Sequence, residues 1–229
     1  MNLDCLVLSR DPKVVSVLRP AMEKLSIKLK LSPDGHSGHQ LLISEKYDGV
    51  VVDCDDLQDG LNILQGVRKA ASNQNSVAFA IVNGATTASR AFELGANFVL
   101  QKPVEAINAV RCLSAALGLM IRERRRYFRV PVEMSVTLFF GKNEQIKTSA
   151  TNLSEGGMAI QLKGRPFRNS ISKVQFTLLG TNNSIETRAG LAWADGNGRA
   201  GIKFLEVPQM CREHLERWLS SHIDALAQS

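Results

Sequence analysis

The spacing of apolar residues changes character near residue 121, and that change constrains the fold more than any other feature of the chain. Before it, short continuous apolar runs alternate with helix-like segments. "LDCLVL", "IKLKL", "DGVVVDC", "VAFAIVN" and "NFVLQ" read as strands, and apolar residues recur at helical spacing between and after them. Strands that are apolar on both faces belong in a parallel sheet covered by helices on each side, so these five βα units predict a five-stranded doubly wound α/β domain. Asp11 followed by Pro12 supplies an N-cap and a first helical residue after the first strand. The last helix starts near Pro103 and runs without a break into a cluster of arginines. Its stripe of Ile107, Val110, Leu113, Leu117 and Ile121 divides: packing on its own sheet is favoured from Ile107 to Leu113, while Leu117 and Ile121 are open to packing on a second copy of the 103–121 helix, as a homodimer, or on the barrel.

Beyond residue 121 the period becomes two. "VPVEMSVTLFF" puts Val132, Met134, Val136, Leu138 and Phe140 on one face. "KTSATNL", "MAIQL", "KVQFTLL", "SIETRAGLAW" and "AGIKFLEV" follow as short strands separated by Gly, Asn and Ser turns, the pattern of a small antiparallel barrel or sandwich. Met210, Leu215, Trp218, Leu219, Ile223 and Leu226 then recur at helical spacing, which predicts a closing amphipathic helix packed on the barrel. The expected domains are 1–121 and 122–229.

Charge follows the same division. Up to Gly118 there are 12 basic and 12 acidic residues, and from Leu119 on there are 16 and 10, so the whole excess of +6 lies in the second half. Five arginines fall between Arg122 and Arg129 in "RERRRYFRVPV". By itself such a run is a solvated helix end that suits the negative pole of the dipole, or a patch for a phosphate-bearing partner. A second stretch, "NLSEGG" from Asn152 to Gly157, offers an amide, a hydroxyl and two residues without side chains on a strand-turn-strand. An amide reads a base edge, an arginine fork holds a phosphate or the O6/N7 edge of guanine, and the same plane stacks on a purine. A ligand that suits both stretches carries phosphates and guanines together.

No apolar run reaches the roughly 18–20 residues of a spanning helix. The N-terminus has no basic leader followed by an apolar block, and Cys5, Cys54, Cys112 and Cys211 form no CxxC pair, so reduced thiols in a cytoplasm are expected. His36 and His39 sit in a polar turn, and no Cys/His spacing fits a metal site. There is no Ser/His/Asp set, no P-loop and no paired acid/base carboxylates, so no catalytic residues are assigned and no enzyme is expected.

"RRYFR", Arg125 to Arg129, matches the RxxxR motif of PilZ domains, and "NLSEGG" matches their (D/N)xSxxG motif. Motif order, the strand between them and the later "GLAW…GIKF" pair also resemble that family over roughly residues 122–227. The resemblance implies a small six-stranded β-barrel that binds cyclic di-GMP, a bacterial second messenger, with no other cofactor. It implies that Arg125 and Arg129 hold phosphate and guanine edges, that Asn152 and Ser154 hydrogen-bond a base or nearby phosphate, and that Gly157 leaves space for the ligand. Arg124, just before the motif, is placed to stack on a guanine. Arg126 falls on a variable position and is read as solvated, and Trp193 is read as core.

The first half resembles a response-regulator receiver domain, which implies flavodoxin-like topology. Asp53 in "VVVDC" matches the phosphoacceptor, and Lys102 in "LQKPV" matches the lysine. Ser9 and Arg10 stand where the family keeps its magnesium-binding acidic pair, Asp11 falls one place late, and Asn83 replaces the hydroxyl residue. Mg²⁺ needs hard carboxylate oxygens, so a pseudo-receiver is expected, with Asp53 a vestigial acceptor. Asp55, Asp56 and Asp59 lie near enough to supply a substitute cation site. The expected function is a cyclic di-GMP effector whose pseudo-receiver engages an unidentified protein partner, without nucleic acid or membrane insertion. The alternative is a phosphorylation-controlled regulator whose barrel binds nucleic acid or protein.

Overall fold

The computed structural model describes residues 3–141, 144–162, 170–195 and 197–226, without the side chains of Asp224 and Leu226. The chain divides into two compact units, Met1–Arg124 and Arg125–Ser229.

In the first unit, strands β1 (Leu3–Leu8), β2 (Ile27–Ser32), β3 (Gly49–Asp53), β4 (Val77–Val82) and β5 (Phe98–Gln101) alternate with helices α1 (Pro12–Lys24), α2 (Gly35–Ser44), α3 (Gly60–Lys69), α4 (Ala88–Glu93) and α5 (Ala106–Tyr127), the last three residues of α5 being counted with the second unit. The strands are all parallel, in the order β2-β1-β3-β4-β5, which is the flavodoxin-like doubly wound arrangement. Every residue of β3 and β4 is buried. Successive strand residues feed opposite faces: Cys5, Val7 and Val51 join a core under α1 and α5, while Leu6, Leu8, Val50 and Val52 join the one under α2 and α3. Asp11 caps α1, its carboxylate accepting from Lys13 N at 2.9 Å, and Pro12 opens the helix. Along α5 the buried apolar residues are Ala109, Leu113, Ala116 and Met120, with Leu117 and Ile121 packed at their edge. The stripe is therefore shifted from the one expected. Ile107 is 61% exposed, and Leu117 and Ile121 are half-buried against the unit's own core.

The second unit is a closed barrel of β6 (Val130–Phe140), β7 (Glu144–Ser154), β8 (Gly157–Gln161), β9 (Ile171–Thr177), β10 (Ser184–Ala194) and β11 (Arg199–Glu206), followed by α6 (Gln209–Leu226). Its antiparallel ladder runs β10-β11-β8-β7-β6-β9 and closes on itself, which leaves no open edge. Met134, Val136, Leu138 and Phe140 of β6 point inward, joined by Leu215, Trp218, Leu219 and Ile223 from α6. Met210 stays exposed, and the side chain of Leu226 lies outside the described residues. Bulges interrupt the β6/β7 and β7/β8 ladders next to the two motif segments, between Pro131 and Met134 and between Ala150 and Asn152.

Candidate functional site

The carboxyl ends of β1, β3 and β5 gather one cation and several carboxylates. Asp53, fully buried, accepts through Oδ2 from Ser9 Oγ at 2.7 Å and from Lys102 Nζ at 2.8 Å. Lys102 Nζ also meets Asp11 Oδ2 at 3.1 Å and Asp56 Oδ2. Burial works to lower the lysine's pKa, but these three carboxylates outweigh it and hold the ammonium well above its usual range. Asp11, one place late in sequence, is thus inside the cluster, while Arg10 donates Nε to Pro33 O at 3.1 Å and plays no part in it.

Two of the remaining acids are spent locally: Asp55 Oδ2 accepts from Asn83 N at 2.6 Å and Asp56 Oδ1 accepts from Asn83 Nδ2 at 3.1 Å, while Asp59 stands at the N-cap position of α3 without a side-chain cap hydrogen bond. Among the described residues no group of three or more His, Cys, Asp or Glu is arranged to hold a metal ion. These side chains do not suit Mg²⁺, because an ammonium already bonds the carboxylates a divalent ion would need, and the acidic pair that would complete the ligand set is Ser9 and Arg10.

In the second unit the two motif segments meet. The end of α5 carries Arg125, and Arg129 follows just before β6, while the β7–β8 turn carries Ser154 to Gly157. Glu155 N donates to Arg125 O at 3.1 Å, and Arg129 Nη1 donates to Ser154 Oγ at 3.1 Å. Ser154 is buried and donates onward to Gly157 O at 3.0 Å, so its hydroxyl both closes the turn and aims Arg129. Asn152 sits at the β7 bulge, where Oδ1 accepts from Ala159 N at 3.1 Å and the amide nitrogen is left to donate. Arg125 Nε lies 3.1 Å from Glu155 Oε2, and its Nη2 lies 3.2 Å from Glu216 Oε2 on α6. Arg126 is exposed.

Gly157 lines a pocket beside the turn and also meets a packing demand: a Cβ there would lie 2.1 Å from Ile202 O, so the missing side chain lets β8 pair with β11; at Gly156 a Cβ would meet nothing within 4 Å. Arg124 is not in this constellation. It is buried in the first unit, where its Nη1 donates to Asp48 Oδ2 at 2.8 Å and Asp4 Oδ2 at 3.2 Å. Burial pushes the Asp48 carboxyl up, more than the Asp4 amide and the arginine draw it down. One residue earlier, Glu123 pairs with Lys46 at 2.9 Å, both side chains nearly buried. What reads in sequence as one basic run is therefore a pair of buried ion pairs followed by the motif arginines.

A pocket of about 230 Å³ adjoins the turn, lined by Arg129, Asn152, Gly157, Trp193, Arg199 and Lys203 among others. Trp193 is not core: it is 46% exposed, and its indole lies over Gly201, where a Cβ would come within 2.1 Å of Nε1. Trp193 pairs across the ladder with Gly201, and a tryptophan opposite a glycine is a signal that an indole covers bare backbone. Glu216 had no comparable signal, since it is one acid among several on an amphipathic helix.

Residues 123–221 match the family model described as the PilZ domain. Among solved structures, similar chains include the receiver domain of a sensor histidine kinase from Pseudomonas aeruginosa, 21% identical, covering 52% of this chain and 99% of that one with a TM-score of 0.46. A Francisella response-regulator receiver domain is 22% identical, covering 53% of this chain and 98% of that one (TM-score 0.45). A chemotaxis response regulator of Vibrio cholerae is 12% identical, covering 50% and 98% (TM-score 0.46). Among curated proteins none matches. With the motif segments joined on a closed six-stranded barrel, and a 2-1-3-4-5 parallel sheet before it, the chain carries a PilZ domain at residues 123–221 preceded by a receiver-like domain.

Proposed function

We propose that this protein is a cyclic di-GMP effector of the cytoplasm that acts by binding rather than by catalysis. The observation that carries the reading is the junction of the two motif segments: Arg129 is aimed by Ser154, and Arg125 is tied through its backbone to Glu155, beside a pocket that also holds an amide and an exposed indole. In this reading Arg125 and Arg129 hold diester oxygens and guanine edges, Asn152 donates to a base, and Trp193 offers a purine a flat face. Ser154 and Gly157 serve by shaping the turn. Arg124 is left out of the ligand set, since stacking on a base requires breaking its bonds to Asp48 and Asp4.

The receiver-like domain serves as a surface for a protein partner. Its Asp53 is engaged by Ser9 and Lys102, and among the described residues no metal set accompanies it.

Calorimetric titration of the full chain with cyclic di-GMP at physiological ionic strength tests the first part. Saturable binding is expected, weakened about tenfold or more by Arg129→Ala and unchanged by Arg126→Ala, since a charge-assisted contact contributes roughly 1.5–3 kcal/mol. Equal losses in both variants would point to diffuse attraction. Incubation with acetyl phosphate and Mg²⁺ tests the second part: no acyl-phosphate is expected on Asp53, and stoichiometric labelling would overturn it.

A further inference from the structure

The two motif arginines are not equally available. Among the described residues, Arg129 meets a neutral hydroxyl and no carboxylate, and it is exposed. Arg125 is only 12% exposed and is gripped by two carboxylates on one side of its fork, Glu155 through Nε and Glu216 through Nη2. An anionic oxygen that takes that edge must displace a glutamate, because a guanidinium N–H directed at one carboxylate is not free for a phosphate. The two glutamates differ in what holds them. Glu155 lies within the β7–β8 turn, its backbone N bonded to Arg125 O and its side chain 9% exposed. Glu216 is 31% exposed and reaches Arg125 from α6, whose neighbouring Leu215, Trp218 and Leu219 are core residues.

We infer that Glu216 is a built-in competitor for the ligand: its carboxylate occupies Arg125 until a phosphodiester replaces it, and the replacement releases a tether of α6 to the motif. The inference rests on the cyclic di-GMP reading and adds to it a residue outside both motifs that sets affinity, together with an element, α6, that reports occupancy. Removing the competitor has a definite sign. Glu216→Gln keeps the shape and deletes the charge, so the ligand no longer displaces an ion pair. A partly exposed pair contributes about 0.2–1 kcal/mol, so binding tightens by roughly 1.5- to 5-fold.

The test is calorimetry with cyclic di-GMP on the full chain as wild type, Glu216→Gln, Arg125→Ala and the double variant. Tighter binding by Glu216→Gln, and no gain from the same change in the Arg125→Ala background, is the expected result, because the advantage must act through Arg125. A gain that survives in the Arg125→Ala background overturns the competitor role, as does equal or weaker binding by Glu216→Gln when the wild type binds. If neither wild type nor Glu216→Gln binds, the cyclic di-GMP reading itself falls and the inference with it. Hydrogen exchange gives a second readout: faster exchange of α6 amides is expected both on adding ligand to wild type and in ligand-free Glu216→Gln. Unchanged α6 protection in both removes α6 as the reporting element.

Discussion

Lys102 and Arg125 are equally sheltered, each side chain 12% exposed, and each is surrounded by carboxylates, yet the two clusters are built for opposite ends. Lys102 faces Asp11, Asp53 and Asp56, so one ammonium answers three acids and the group carries an uncompensated negative charge. A phosphoryl group arriving there would add to that excess. Around Arg125 the count is different. Glu155 and Glu216 are balanced by Arg125 and the nearby Arg129, which donates to the Ser154 hydroxyl. The first cluster is closed on itself, whereas in the proposed reading the second opens to an anion. A cation surrounded by acids is thus not a binding site by its composition; the charge left over and the geometry of free donors decide.

The comparison breaks most visibly at Lys102. Asp53 is fully buried, and removing its cation leaves an uncompensated buried charge, so Lys102→Met is expected to cost about 3–5 kcal/mol of stability in denaturant unfolding. The double variant Lys102→Met/Asp53→Asn recovers part of that loss, since the stranded charge is gone. A loss below about 1 kcal/mol, in the range of exposed pairs, means that water reaches the cluster and that it is not closed.

Next in size is the difference between the motif arginines. Arg129→Ala removes donors that are free for the ligand, worth roughly 1.5–3 kcal/mol of binding. Arg125→Ala removes ligand contacts and a competed ion pair together, so its net loss is expected to be smaller. Titration of both variants with cyclic di-GMP ranks them, and a larger loss at Arg125 contradicts the idea that its fork is pre-occupied.

Much of this was legible in the amino-acid order, and the parts that were not share a cause. The parallel sheet, the barrel and the meeting of "RRYFR" with "NLSEGG" follow from local period and motif chemistry, and Asp11 was readable as a cap because Pro12 follows it. The position of Arg124 was not readable. Its partners Asp4 and Asp48 are 120 and 76 residues away, so the cluster shows its charge but not which members are already answered. Lys46 and Glu123, 77 residues apart, hide in the same way. Trp193 was misplaced because a large aromatic is usually buried, and its place opposite Gly201, next to a ladder irregularity, depends on a pairing register that the sequence alone does not display.

Gly157 and Gly156 separate space needed by the fold from space available to a ligand. Gly157→Ala drives a Cβ onto Ile202 O and is expected to cost about 1–3 kcal/mol of barrel stability, as overpacking does. Gly156→Ala meets open space and is expected to change stability by a few tenths of a kcal/mol at most. Unfolding curves of the two variants decide this; if Gly157→Ala is as stable as wild type and loses only ligand affinity, the glycine's role is to leave room in the pocket.

The smallest expected effect concerns the rim of the Lys102 cluster and is visible as a pH dependence. The Asp11 carboxyl is held below its usual range, first by the Lys13 amide it caps and, against the pull of burial, by Lys102. A carboxylate whose folded pKa is depressed contributes stability that is fully present above its unfolded pKa and is lost as pH falls through the folded one. Asp11→Asn keeps an acceptor for the Lys13 amide but carries no charge, so it isolates the part due to Lys102. At neutral pH the variant is expected to be less stable by roughly 0.2–1 kcal/mol, the range for a partly exposed pair. The difference narrows as pH falls below the ordinary carboxylate range. Asp55, also depressed because the hydrogen bonds it accepts near Thr86 and Asn83 outweigh its burial, weakens both proteins alike over that range. Asp48, raised by burial, acts with the opposite sign at higher pH, again in both. Stability measured against pH for the two proteins therefore converges on the acid side, and parallel curves would mean that Lys102 draws its balance from Asp53 and Asp56 alone.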